Sequence, residues 1–142
     1  MAEMKSIATG VVHPWHLDHF EHMNTRHYAA FFDDAVYHMW TRLGTPYSEM
    51  LDKFGVHTVT ARTTTSFIKE LKEGDLVVID AQVSRIGGKS AGFLLSMRHA
   101  DTGEVHATYE LVDVFFDPRT RGSTEIPAAL RAKLEAHRPA ET

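Results

Sequence analysis

One long apolar helix, followed by a change to two-residue alternation, constrains the fold of this chain more than any other feature. Between residues 25 and 43, apolar side chains recur at spacings of three and four, which predicts an amphipathic helix with one broad buried face. Asn24 or Thr25 can cap its first turn. Gly44 and then Pro46 end it. The apolar positions are Tyr28, Phe31, Phe32, Ala35, Val36, Met39 and Leu43.

The period of the apolar residues changes to two after a short helix predicted over residues 47–54. Alternating and β-branched residues predict strands over 56–68, 76–85, 90–98 and 105–116. Residues that tolerate positive φ, Gly87-Gly88 and Asp101-Thr102-Gly103, separate the last three runs, as hairpins require. A first strand over residues 7–12 and a C-terminal helix over 127–137 complete the prediction.

This order of elements predicts a two-layer α+β domain, in which the long helix packs against a curled antiparallel sheet. We expect one domain over residues 1–142, with frayed ends at 1–5 and 138–142. The four later strands are expected to form an antiparallel meander. Apolar residues left on the outer face of the sheet indicate further burial, most simply against a second copy of the chain.

Charge and composition argue against several classes of partner. A formal net charge of -4 without a long basic run argues against nucleic acid. No segment approaches the roughly 20 consecutive apolar residues of a membrane span, and the first ten residues lack the apolar core of a secretory signal. The chain has no cysteine, hence neither a disulfide framework nor a thiol nucleophile. We therefore expect a cytoplasmic protein without membrane contact.

Histidine is unusually frequent in the first part of the chain. Spacings of three residues could line up four imidazoles on one helix face and bind zinc. Pro14 and the turn-forming Asp18 disfavour a helix there, and no second group of ligands follows. We therefore predict neither a metal nor a cofactor. The four histidines are His13, His16, His19 and His22.

A carboxylate stands shortly before the long helix begins. The segment 14–24, Pro-Trp-His-Leu-Asp-His-Phe-Glu-His-Met-Asn, places Asp18 on a loop near the free N–H groups of the first helical turn. Such groups favour negative charge and can hold the oxyanion of acyl transfer. The carboxylate could then attack the carbonyl or activate a water. The spacing alone, however, is more typical of a helix cap or a turn.

The same stretch resembles the signature of hot-dog-fold thioesterases of the 4-hydroxybenzoyl-CoA thioesterase-like family. That pattern has Asp, three residues, and then His-x-Asn opening a long central helix with Tyr near its start. Residues 32–35 and the hairpin regions 88–90 and 102–107 are also similar to the family, so the resemblance spans nearly the whole chain. Glu21 stands where the family usually has Gly. The matching residues are Asp18, His22, Met23, Asn24 and Tyr28.

The resemblance implies a hot-dog fold and an acyl-CoA thioesterase that assembles as a homodimer or homotetramer, with coenzyme A as part of the substrate. It implies Asp18 as nucleophile or general base, and the amides of residues 23–25 as oxyanion donors. His22 and Asn24 would shape the loop or bond the acyl group, and Tyr28 would line the pocket. Strand residues of a partner subunit would complete the site, namely Val59, Thr60, Ala61, Arg62 and Thr63.

Further residues are candidates for substrate contacts. Trp15 is close enough to Asp18 in the sequence to contribute to the pocket, and Trp15 with the His-Met-Asn triplet resembles betainyl-CoA thioesterases in particular. Lys89 and Ser90 could contact the phosphates of coenzyme A. The run Gly-Gly-Lys-Ser is not a phosphate-binding loop, because Val83 replaces its first glycine and the run joins two strands.

Two other functions stay open at this point. Glu21 in place of Gly is compatible with a non-catalytic hot-dog protein that binds acyl-CoA. A hot-dog hydratase or dehydratase is the second alternative, although the Asp and His pair of those enzymes, in a loop with Asn-Pro, is missing here. The sequence does not specify the acyl group.

Overall fold

The computed structural model describes residues 3–139 and confirms the predicted α+β class, with a curled antiparallel sheet around one long helix. None of the helices in this part of the chain is long and apolar enough to cross a membrane. The helices are α1 (Thr25–Arg42), α2 (Tyr47–Phe54) and α3 (Ala128–Ala136). The strands are β1 (Glu3–Val11), β2 (His57–Phe67), β3 (Leu76–Ile86), β4 (Ser90–His99), β5 (Val105–Asp117) and the two-residue β6 (Gly122–Ser123).

The order of the strands in the sheet is β1-β3-β4-β5-β2, with β6 paired to β5. The predicted hairpins between β3, β4 and β5 are confirmed, but the prediction that β2 continues the meander is wrong. β2 pairs with β5 because β1 already occupies the side of β3 that β2 would need. Residues 68–75 carry the chain from one edge of the sheet towards the other.

The buried face of α1 forms the centre of the core. Tyr28, Phe32, Ala35, Met39 and Trp40 are buried on the helix. Burial of each large apolar side chain contributes about 1.5–3 kcal/mol, so this face attaches α1 firmly to the sheet. The helix begins at the predicted place, since the Asn24 side chain accepts a hydrogen bond from the Arg26 amide at 3.2 Å.

β1 carries a bulge at Ser6, whose φ is 53°. The buried Asp80 carboxylate accepts hydrogen bonds from the Ser6 amide at 2.7 Å and from the Arg98 guanidinium at 2.9 Å. Arg42, at the end of α1, donates to the carbonyl of Lys5 at 3.1 Å. Residues 3–5, expected to be frayed, therefore form the first part of β1, while residues 1, 2 and 140–142 lie outside the described chain.

Gly10 allows α1 to approach β1 closely. A Cβ atom at this position would lie 2.8 Å from Phe31 Cε2 and 3.2 Å from Val77 Cγ2. We expect Gly10→Ala to lower the free energy of unfolding by about 1–3 kcal/mol, because the Phe31 ring must move. Urea denaturation measures this loss. Gly122→Ala is the control, since a Cβ there meets nothing within 4 Å; equal losses in both variants would contradict the close approach.

Candidate active site

Asp18 lies in a tight loop directly before α1. Leu17 and Met23 pair across this loop, and the Asp18 amide donates to the carbonyl of His22 at 2.9 Å. Asp18 Oδ1 accepts hydrogen bonds from the amides of Phe20, at 2.8 Å, and His22, at 3.4 Å. The loop therefore fixes the position of its own carboxylate.

The surroundings of Asp18 keep its carboxyl group ionised. Burial raises its pKa, but the amide hydrogen bonds from Phe20 and His22 and the nearby imidazoles of His19 and His22 together lower it more. The pKa of Asp18 therefore lies below the ordinary aspartate value. A carboxylate in this state can act as a nucleophile or accept a proton from water.

Glu21 adopts the backbone conformation that glycine favours. Its φ is 64°, in the left-handed region, and its side chain is exposed. The resembling family usually has Gly at this position, and a left-handed φ is one that Gly adopts without strain. Glu21 in place of glycine therefore still has a backbone conformation that glycine readily adopts.

We expect Glu21→Gly to raise the free energy of unfolding by up to about 1 kcal/mol. Left-handed backbone costs an ordinary residue roughly 1–2 kcal/mol, and the greater freedom of glycine in the unfolded chain offsets part of the gain. Thermal unfolding measures the change. Ala30→Gly, at an exposed position of α1, is the control and should lose about 1 kcal/mol. A similar loss in Glu21→Gly would show that the Glu21 side chain itself stabilises the loop.

Two of the three amides predicted as oxyanion donors already have acceptors. The Met23 amide donates to the carbonyl of Leu71 at 2.7 Å, and the Asn24 amide donates to the carbonyl of His16 at 2.8 Å. The Thr25 amide, the first of α1, has no acceptor among residues 3–139. Of the three, the Thr25 N–H is therefore the group available to a ligand at the start of the helix.

A cavity of about 250 Å³ opens in front of this helix end. The ring of Tyr28 forms part of its wall and meets Phe67 edge-on, with ring centroids 5.0 Å apart. Burial, together with the charges of Asp18 and Glu70, raises the pKa of Tyr28 to about 12, so its hydroxyl stays protonated. The cavity is lined by Met23, Thr25, Tyr28, Phe67, Ile68, Lys69 and Glu70.

The last four of these lining residues were missed by the sequence analysis. They end β2 or follow it, and nothing in the order of predicted strands indicates that this segment returns to the start of α1. The apolar pair Phe67-Ile68, followed at once by two charged residues, was the one sign available in the sequence, and the structure shows both apolar side chains to be exposed. His22, which was predicted, does not line the cavity but lies beside Asp18: its amide donates to Asp18 Oδ1 at 3.4 Å, and its imidazole lowers the pKa of both Asp18 and Glu70.

Trp15 and the predicted strand residues do not line this cavity. Trp15 is 68% exposed and stacks on His13, with ring centroids 4.2 Å apart. Thr60 donates a hydrogen bond to the buried Asp113 at 3.0 Å and lines a separate cavity of about 210 Å³ beside α1. Val59, Thr60, Ala61, Arg62 and Thr63 are all exposed, on an edge of the sheet that is unpaired in the single chain.

Lys89 and Ser90 lie near the other end of α1. Their hairpin is bonded to α3 through Arg131, and α3 also approaches Gly44, just after α1 ends. α1 has 18 residues and is therefore about 27 Å long. Within one chain, Lys89 and Ser90 are thus far from Asp18.

A larger cavity of about 600 Å³ lies between β1 and the other flank of α1. Its wall includes His13 and His16 and shares no lining residue with the cavity at the helix start, so the two cavities are distinct; Asp18 lines neither of them. Residues 14–16 form a short 3₁₀ turn, and in the described chain no group of three or more His, Asp or Glu is placed to hold a metal ion.

Comparison with known proteins gives the family. No curated protein sequence matches significantly. A hypothetical protein from Staphylococcus aureus, solved in complex with CoA, is 21% identical, with TM-score 0.84 over 100% of this chain and 90% of that one. A gentisyl-coenzyme A thioesterase is 23% identical, with TM-score 0.76 over 89% and 98%. A probable thioesterase from Escherichia coli is 23% identical, with TM-score 0.79 over 96% and 99%.

These similarities to solved structures are below 25% identity and show the fold. A sequence model of the thioesterase-like superfamily matches residues 12–134, which include the Asp18 loop, α1 and all of the long strands after it. This chain therefore belongs to the thioesterase-like superfamily and has its hot-dog fold.

Proposed function

We propose that this protein is an acyl-CoA thioesterase, which hydrolyses the thioester to a free acid and coenzyme A. The observation that carries the proposal is that an ionised carboxylate, Asp18, lies in the loop directly before α1, and that the Thr25 amide at the start of this helix is unbonded. Structural relatives support coenzyme A as the carrier, since one was solved with CoA and another is a gentisyl-coenzyme A thioesterase.

In the proposed reaction the thioester carbonyl lies at the start of α1. The Thr25 N–H and the helix dipole stabilise the oxyanion, and one such donor is worth about 10²–10³ in rate. Asp18 either takes a proton from the attacking water, or attacks the carbonyl and forms an anhydride that water then cleaves. In both routes the C–S bond breaks and coenzyme A leaves as the thiolate. The protonated Tyr28 hydroxyl can donate a hydrogen bond to the acyl group.

We also propose that a second copy of the chain completes the site. β2 is a long edge strand whose residues 59–64 are exposed on both faces, and such an edge pairs readily with another strand. Antiparallel pairing of β2 with its copy would bring the start of the partner's β2 beside Phe67. The hairpin that contains Lys89 lies at the same end of the sheet as the start of β2. The carbonyl of Lys89 accepts a hydrogen bond from the amide of Phe115, and the neighbouring Phe116 pairs with His57, the first residue of β2.

This arrangement gives Lys89 and Ser90 of the partner a place near the cavity, where they could contact phosphates of coenzyme A. We expect sedimentation to give twice the chain mass of 16.0 kDa. A monomer at micromolar concentration would contradict the completed site.

Release of free thiol from a panel of acyl-CoAs tests the proposed reaction. The panel runs from acetyl through medium-chain to hydroxybenzoyl and betainyl thioesters, and we expect turnover of one class in the ordinary range of about 1–10³ s⁻¹. Binding without thiol release would instead indicate a non-catalytic acyl-CoA-binding protein. Loss of enoyl-CoA absorbance without thiol release would indicate a hydratase.

A further inference from the structure

Glu70 is held in place at the mouth of the cavity by its neighbours. Leu71 is fully buried, and its carbonyl accepts the Met23 amide at 2.7 Å. The carbonyl of Glu70 lies 3.0 Å from Nδ1 of the buried His106. Lys69 on the other side is bound to Glu104 at 3.2 Å. The backbone of this exposed segment is therefore fixed relative to the start of α1.

The charge that Glu70 brings to the cavity is not paired. Two charged side chains line the cavity, and the ammonium group of Lys69 is compensated by Glu104. Glu70 has no ion-pair partner among residues 3–139. Its own backbone amide, then His22, and then Lys69 and Lys72 lower its pKa by more than burial raises it, so Glu70 is ionised at neutral pH. The charge of Glu70 adds, after burial and the charge of Asp18, to the raised pKa of Tyr28, which lines the same cavity.

We infer that Glu70 is a specificity-determining residue that selects acyl groups by charge, disfavouring those that end in a carboxylate. Beside Thr25 and the compensated Lys69, the wall contains the apolar and aromatic side chains of Tyr28, Phe67 and Ile68, which accept a neutral or a cationic group. The positive end of α1 is directed at the carbonyl, which every acyl group shares, and so does not discriminate between acyl ends. This inference rests on the proposed use of this cavity for the acyl group.

Two pairs of acyl-CoAs of nearly equal size test the inference. Hexanoyl and glutaryl groups differ in a terminal carboxylate, and butyryl and β-alanyl groups differ in a terminal ammonium. Dissociation constants are measured by calorimetry with 2-oxoalkyl thioether analogues, which cannot be hydrolysed, and kcat/KM is measured with the thioesters. The variants are Glu70→Gln and, as the matched control on the same loop, Glu73→Gln, which does not line the cavity.

We expect the wild type to prefer hexanoyl over glutaryl, and Glu70→Gln to reduce that preference by about 3- to 100-fold, the range for two unit charges about 6 Å apart between the dielectric constant of bulk water and that typical of a protein surface. The preference for β-alanyl over butyryl should fall in the same variant, and Glu73→Gln should change neither ratio. High salt screens charge, so it should bring both preferences of the wild type, hexanoyl over glutaryl and β-alanyl over butyryl, closer to one. A shift in the binding ratios without any hydrolysis would support Glu70 as the selector and overturn only the proposed reaction. Unchanged ratios in Glu70→Gln, or no binding of any analogue, would overturn the inference.

Discussion

Asp18→Asn is expected to lower kcat for thioester hydrolysis by about 10²–10⁴-fold and to leave the loop folded. The asparagine Oδ1 can accept the same hydrogen bonds that Asp18 Oδ1 accepts from the amides of Phe20 and His22. The amide group cannot attack a carbonyl or take a proton from water, so chemistry is lost while geometry is kept. Thiol release at saturating substrate gives kcat, and calorimetry with an unreactive analogue gives the affinity.

The control for this variant is Asp34→Asn on the exposed part of α1, which should keep full activity.

The pH profile gives an independent check of the same assignment. Because the pKa of Asp18 is lowered, the carboxylate is present above that value, and activity should fall only as pH drops through it. We therefore expect no acid limb from this group above about pH 4. Full activity of Asp18→Asn would show that this carboxylate is not the reacting group.

Phe32→Ala is expected to lower the free energy of unfolding by about 3–5 kcal/mol. Phe32 is fully buried at the centre of α1, and its ring stacks on Tyr109 with centroids 4.8 Å apart and planes 4° apart. Removal of the ring leaves a void between helix and sheet that the surrounding residues can fill only partly. The expected loss is a large share of the roughly 5–15 kcal/mol that stabilises a typical domain. Urea denaturation followed by circular dichroism measures it.

Tyr37→Ala is the matched control, since Tyr37 lies on the same helix and is 61% exposed. We expect it to change the free energy of unfolding by no more than about 1 kcal/mol. Equal losses in the two variants would mean that helix propensity, and not burial against the sheet, determines the contribution of this helix. In that case the packing that positions the start of α1 would need another explanation.

The sequence predicts the elements of this fold better than their arrangement. Periodicity reports which face of a segment is buried, and it predicted the helices over residues 25–43 and 47–54 nearly as observed. A period of two does not report which strand lies beside which, and for this reason the position of β2 next to β5 was missed. β1 was predicted too short, because its bulge at Ser6 interrupts the alternation and depends on the distant residues Asp80 and Arg98.

The candidate site shows the same division between local and distant information. Asp18, Asn24 and Thr25 are contiguous with the start of α1, so a local motif could indicate them. Glu70 and Phe67 reach the cavity that Thr25 lines only through the path of residues 68–75, which depends on the sheet order. The occupation of the Met23 and Asn24 amides likewise depends on the carbonyls of distant or irregular segments. The left-handed backbone conformation of Glu21 could not be predicted from the residue type, because glutamate rarely adopts a positive φ.

The order of the strands also has a consequence for how the protein folds. β3, β4 and β5 are neighbours in the chain as well as in the sheet. β2 pairs with β5, although the whole β3–β4 hairpin separates these two strands in the sequence. Closing longer loops costs more entropy, and non-local pairings form more slowly. We therefore expect the three-stranded meander to form early and β2 to dock late. Since residues 67–70 form one wall of the cavity, a refolding chain should regain its secondary structure before it can bind a ligand.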